Sequence, residues 1–74
     1  MKNNLLDRIE INPEIYRGKP IIKGTRVSLE IILKSLSQGM NYKEICDGYN
    51  ITEDDIKAAI LYAEKLLENE IIIA

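Results

Sequence analysis

Residues Ser28–Gly39, SLEIILKSLSQG, carry the first helical period of this 74-residue chain. Leu29, Ile32, Leu33 and Leu36 recur at i, i+3, i+4 and i+7, which lines apolar side chains along one face of an α-helix. Ser28 is placed as the N-cap, where a hydroxyl accepts from a backbone N–H of the first turn, and Gly39 as the C-terminal stop. The spacing predicts a helix of about three turns.

Downstream, the same signals repeat twice. Asn41 with Glu44 three residues later forms a capping-box pattern, opening a short helix that carries Ile45 and ends near Gly48. Thr52 with Asp55 repeats the device, and the last helix is expected to bury Ile56, Ala59, Ile60, Ala63 and Leu67 on one stripe, running to about Glu70. Three helices with a brief turn at Gly48-Tyr-Asn-Ile51 have the rhythm of a helix-turn-helix domain.

Upstream, the period falls to two. Arg8 to Ile11 alternates polar and apolar residues as a half-buried strand does, and Asn12-Pro13 breaks the run. Ile15-Tyr16 and Pro20-Ile-Ile22 are further extended segments, because Gly18, Pro20 and Gly24 resist helix and Lys23-Gly24-Thr25 reads as a tight turn. The expected fold is mainly α with a small N-terminal β-ribbon: a three-helical helix-turn-helix domain of homeodomain-like or winged-helix-like type. It forms one domain over 1–74, with the ribbon or extended arm over 1–27, the three-helix bundle over 28–70 and an apolar tail over 71–74.

A single core of this size rarely supplies more than about 3–5 kcal/mol of net stability, so a partner or a homodimer is expected. The chain is 46% hydrophobic and 30% charged, the balance of a globular protein. One cysteine, Cys46, excludes an internal disulfide and reads as a small buried hydrophobe. The absence of histidine removes the commonest zinc ligand and general base, so catalysis is disfavoured and neither metal nor cofactor is expected. No apolar run approaches the roughly 20 residues of a membrane span. The N-terminus MKNNLLDR lacks the apolar centre of a signal peptide, which places the protein in the cytoplasm with no membrane partner.

The net charge of −2 hides an asymmetry. Before Ser28 six basic residues face three acidic ones; after it, four face nine. A polyanion is therefore expected to meet the N-terminal third, where RGKPIIKGTRVS (Arg17–Ser28) concentrates Arg17, Lys19, Lys23 and Arg26. A nucleotide loop is excluded by spacing. It needs Gly-x4-Gly-Lys-Ser/Thr, whereas five residues separate Gly18 from Gly24, the local order is Lys23-Gly24-Thr25, and Pro20 removes a backbone donor. DNA readout by the last helix is opposed by Glu53, Asp54 and Asp55 in its first turn; these acids read first as caps that complement the helix dipole. If DNA is bound, the four ribbon cations are the candidates, in a dimer that doubles them, against a plain reading as a solvated charged hairpin.

Two apolar residues fall off their helical stripes: Ile31 lies on the side of Lys34 and Gln38, and Leu61 among Lys57, Lys65 and Glu68. Each reads either as an incidental surface residue or as a partner contact. Ile71, Ile72 and Ile73 form a β-branched end that either folds back on the core or serves as an edge strand for a second copy or another protein.

Gly18-Lys19-Pro20, Ile22 and Gly24-Thr25-Arg26-Val27 resemble the signature of the domain of unknown function 433 family. Arg8-Ile9, Asn12-Pro13, Gly39, Glu44-Ile45, Tyr49, Asp55-Ile56, Ala59 and Tyr62-Ala63 sit where that pattern places them, so the resemblance covers roughly residues 7–65. It implies a small winged or homeodomain-like helix-turn-helix fold, and an antitoxin paired with a ribonuclease toxin of the PIN-like class. Arg17 stands where a second glycine is frequent and Asn50 where proline is common; the first adds charge to the ribbon and the second is expected to leave the turn less rigid. In this signature Gly24 supplies a positive φ and Thr25 bonds local backbone, while Arg26 is left either for a salt bridge to a helix acid or for a ligand.

Overall fold

The computed structural model describes the backbone of residues 4–73 and the side chains of residues 4–69. A 3-10 turn at Leu5–Arg8 leads into β1 (Ile9–Glu10), and a second at Tyr16–Gly18 precedes β2 (Ile21–Ile22). Helices α1 (Leu29–Ser37), α2 (Tyr42–Tyr49) and α3 (Glu53–Ile73) follow. The protein is thus a three-helical domain with a small antiparallel ribbon at its N-terminal end.

β1 and β2 pair with Ile9 opposite Ile22 and Glu10 opposite Ile21. A bridge from Ile21 to Ser28 and an N–H of Ile22 donated to Val27 O at 2.9 Å carry the pairing around the turn to the start of α1. Ile21 and Ile22 therefore lie centrally in the ribbon, and both are buried, which explains a continuous apolar pair where alternation would mark a half-exposed strand.

The helix caps form as their residue types require. Ser28 Oγ accepts from the Ile31 N–H at 3.2 Å. Asn41 and Glu44 exchange both bonds of the capping box, at 2.8 and 2.9 Å. α2 ends one residue beyond Gly48. Its cap is Asn50, left-handed at φ 58°, whose N–H returns to Cys46 O. Proline cannot adopt that φ and has no N–H to donate, so the residue expected to loosen this turn is one that closes it.

The core is built from isoleucine. Ile22, Leu29, Ile32, Ile45, Ile51, Ile56 and Ala59 form one buried cluster joining ribbon and helices. Ile31, expected to lie off the stripe, is half-buried and packs against this cluster; Leu61 is half-buried as well.

Three readings are corrected in whole or in part. Ile15-Tyr16 is not a strand, since Tyr16 turns left-handed at φ 49°. Ile71–Ile73 continue α3, so the edge-strand alternative is not taken up, while their side chains and Ala74 lie outside the described residues. The α3 stripe is half right: Ile56 and Ala59 are buried, whereas Ile60 is 39% and Leu67 60% exposed. The fully buried Ala58 takes up the flank, because the 3-10 turn at Leu5–Arg8 packs along α3 and shifts its covered face. The helix also outruns its neighbours. Its 21 residues extend about 31 Å at 1.5 Å per residue, against nine residues in α1 and eight in α2, so every residue from Glu64 to Asn69 is exposed.

Candidate functional site

The ribbon positions its charges through two left-handed corners. At the tip, Gly24 has φ 80°, and Thr25 stabilises the turn twice: its hydroxyl donates to Ile22 O at 2.7 Å and accepts from the Val27 N–H at 3.0 Å. At the other end Tyr16, Arg17 and Gly18 are consecutively left-handed, at φ 49°, 58° and 84°. The corner is closed by the Gly18 N–H donated to Ile15 O at 3.0 Å and the Lys19 N–H donated to Tyr16 O at 3.2 Å. Glycine takes such angles freely, but a tyrosine and an arginine in that region each cost on the order of 1 kcal/mol or more. After the corner, Pro20 O accepts from the Leu29 N–H at 3.0 Å and so docks the ribbon onto the start of α1.

Between the Tyr16–Gly18 corner and the first turn of α1 lies an open depression of about 320 Å³, lined by Tyr16, Arg17, Lys19, Ser28 and Glu30. Lys19 Nζ bridges it to Glu30 Oε1 at 3.0 Å, with both side chains more than half exposed. A pair so solvated contributes about 0–1 kcal/mol and leaves both groups able to exchange partners. Arg17, Lys23 and Arg26 are exposed and have no ion-pair partner among the described residues, so of the two alternatives for Arg26 the salt bridge to a helix acid is not formed.

The bridge between ribbon and helices falls to Arg8, which the charge pattern did not single out. Its guanidinium contacts Asp55 Oδ1 at 3.1 Å and Asp54 Oδ2 at 3.6 Å. Asp55 is buried, and its second oxygen accepts from the Thr52 N–H at 3.0 Å while Thr52 Oγ1 accepts from the Asp55 N–H at 3.2 Å. Two of the three acids at the start of α3 thus have a partner within the chain: Asp55 as buried cap and ion pair, Asp54 as a half-exposed ion pair. The surplus of acids there was the available signal that a cation must reach them. Nothing in the local sequence signals the left-handed Tyr16.

Cys46 is half-buried against the core, and desolvation, reinforced by Glu53, Asp47 and Asp55, pushes its thiol above the ordinary 9.0. Among the described residues no group of three or more His, Cys, Asp or Glu is arranged to hold a metal, and no helix is long and apolar enough to cross a membrane.

The site therefore comprises a strained corner with an aromatic and a guanidinium, a shallow depression, and a tip with two further cations. That arrangement suits the binding of an anion or of a partner's acidic surface. No curated protein matches the chain. The crystal structure of a DUF433 member protein from Anabaena variabilis ATCC 29413, at 2.00 Å resolution, superposes with a TM-score of 0.76 at 30% sequence identity. The match covers 84% of this chain and 62% of that one, so the chain spans less than two thirds of the length of that relative. The family model described as protein of unknown function (DUF433) matches residues 9–63, a span that holds the ribbon, its depression, α1, α2 and the packed half of α3. The chain belongs to this DUF433 family.

Proposed function

We propose that this is a noncatalytic binding protein, the antitoxin of a toxin–antitoxin pair, which dimerises and masks a PIN-like ribonuclease. The observation that carries the reading is the overhang of α3. Leu66 and Leu67 stand 52% and 60% exposed on a helix that has left its own core behind, and apolar surface of that kind is used to bind other proteins. The family resemblance supplies the class of partner, and the free cations of the ribbon supply charge complementary to the acidic metal site of such a nuclease. Co-expression with the neighbouring open reading frame tests this. Co-purification of the two chains and rescue of growth from the neighbour's toxicity are expected; recovery of the protein alone, without rescue, would overturn it.

A second reading, a DNA-binding transcriptional regulator acting alone or as autoregulation by the same antitoxin, is favoured by Arg17, Lys23 and Arg26 being unpaired among the described residues. It expects binding to the protein's own promoter that weakens steeply with salt and is lost in Arg17→Ala/Lys23→Ala. Promoter binding unchanged in that pair would remove the ribbon from this role.

A further inference from the structure

We propose that the depression between the Tyr16–Gly18 corner and α1 receives an unpaired nucleotide of single-stranded nucleic acid, with the Tyr16 ring as its stacking platform and Arg17 and Lys19 on the flanking phosphates. The inference rests on neither reading above, since the first concerns a protein partner and the second a duplex promoter.

Tyr16 is the first observation. Of the chain's four tyrosines, Tyr42, Tyr49 and Tyr62 pack against the core cluster, while Tyr16 stands 50% exposed at the rim of the depression. Its hydroxyl makes no hydrogen bond among the described residues. An aromatic ring held in this way at a cationic surface is the element on which bases stack regardless of sequence.

The backbone is the second observation. Tyr16 and Arg17 are consecutive left-handed non-glycine residues, and neither the phenol nor the guanidinium has a hydrogen-bond or ion-pair partner among the described residues. Strain of that kind persists where the surrounding structure fixes it, and it clusters at ligand clamps and active sites. The corner turns the phenol and the guanidinium outward side by side.

Glu30 decides between a strand and a duplex. The Glu30 carboxylate repels the phosphates of strand and duplex alike, but a duplex keeps its base edges paired and offers this surface little beyond phosphate. An unpaired nucleotide also presents exocyclic amines and sugar hydroxyls, and Glu30 Oε1, already 3.0 Å from Lys19 Nζ, accepts from such donors while Lys19 turns to a phosphate. The volume of about 320 Å³ stands at the low end of small-ligand clefts, about 300–1,000 Å³, and suits one nucleotide.

Fluorescence anisotropy of labelled oligonucleotides of about a dozen nucleotides, offered as single-stranded RNA, single-stranded DNA and the matching duplex at low salt, tests the proposal. Single strands are expected to bind more tightly than duplex, and preference for RNA over DNA identifies the ribose hydroxyl as one of the donors to Glu30. Tyr16→Ala should weaken binding roughly 5- to 150-fold and Tyr16→Phe should hold it within about twofold. Arg17→Gly should raise the melting temperature, because glycine relaxes the corner, yet weaken binding and flatten its salt dependence. This variant separates loss of a contact from loss of the fold. Single strands left unbound at low salt, a duplex bound as tightly as a strand, or binding indifferent to Tyr16→Ala would each overturn the assignment. None of these outcomes bears on co-purification with a nuclease.

Discussion

Arg8 Nη1 donates to Asp55 Oδ1 at 3.1 Å across 47 positions of sequence, and the other oxygen of the same carboxylate accepts from the Thr52 N–H at 3.0 Å. One buried carboxylate therefore both starts α3 and fastens it to the strand end of the ribbon. Burial is tolerable because each oxygen has its partner, and a carboxylate left with one of them would carry an uncompensated cost.

Asp55→Ala removes the cap and the ion pair together and should destabilise the fold by about 2–4 kcal/mol. Asp55→Asn keeps an acceptor for Thr52 and should cost about half as much. Arg8→Ala should cost about 1–2 kcal/mol, and the double variant should fall short of the sum by about 1 kcal/mol, since the residues act as a pair. Urea denaturation read by circular dichroism measures all four. Strict additivity would show that the two side chains do not meet in solution.

Asn50 carries the turn between α2 and α3 at φ 58° and donates its N–H to Cys46 O. Asn50→Pro loses both features and should destabilise by about 3 kcal/mol or more. Asn50→Gly should be neutral within a few tenths of a kcal/mol, since glycine accepts the same angle and keeps the donor. Proline at this place requires a differently wound turn. A proline variant with unchanged midpoint in urea would show that this chain adopts that other turn as well.

The helices were legible because their signals are local. Ser28, Asn41 and Thr52 cap within three residues of themselves, and all three caps form as their sequence predicts. The ribbon tip was legible for the same reason, through Gly24 and Thr25. Position along α3 was not: periodicity identifies a face, but where that face ceases to be covered depends on the lengths of α1 and α2 and on the 3-10 turn at Leu5–Arg8. Ile60 and Leu67 therefore read as core and stand in solvent. The candidate site was half visible. Its cations follow from composition, whereas Tyr16 entered through a backbone angle that no residue type in Ile15-Tyr-Arg-Gly18 demands.

Burial and the carboxylates of Glu53, Asp47 and Asp55 hold the Cys46 thiol protonated above its ordinary range. Alkylation by iodoacetamide at neutral pH should accordingly be slower in the folded protein than in urea. The sign for stability follows. The unfolded thiol ionises near 9.0 and the folded one higher, so the contribution is fully present below pH 9.0 and is lost as pH rises toward the folded value. Cys46→Ala should flatten the decline in urea midpoint seen above that pH. Equal alkylation rates in folded and unfolded protein would contradict the burial of the thiol.

Beyond Glu64 no element among the described residues covers the α3 helix, and Leu66 and Leu67 are exposed there at 52% and 60%. Glutamate has nearly the helix propensity of leucine, so Leu66→Glu/Leu67→Glu should change folding stability by no more than about 0.5 kcal/mol. Ile45→Ala or Ile56→Ala, at fully buried positions, should by contrast cost about 2–5 kcal/mol. The same double glutamate variant should lose co-purification with the proposed nuclease partner, since it removes the apolar surface without touching the core. Comparing urea midpoints with pull-down yields separates the two effects. A loss of stability above about 1 kcal/mol would mean that these leucines are covered within the protein itself or by a second copy. Retained co-purification at full stability would move the partner surface off α3 and onto the ribbon.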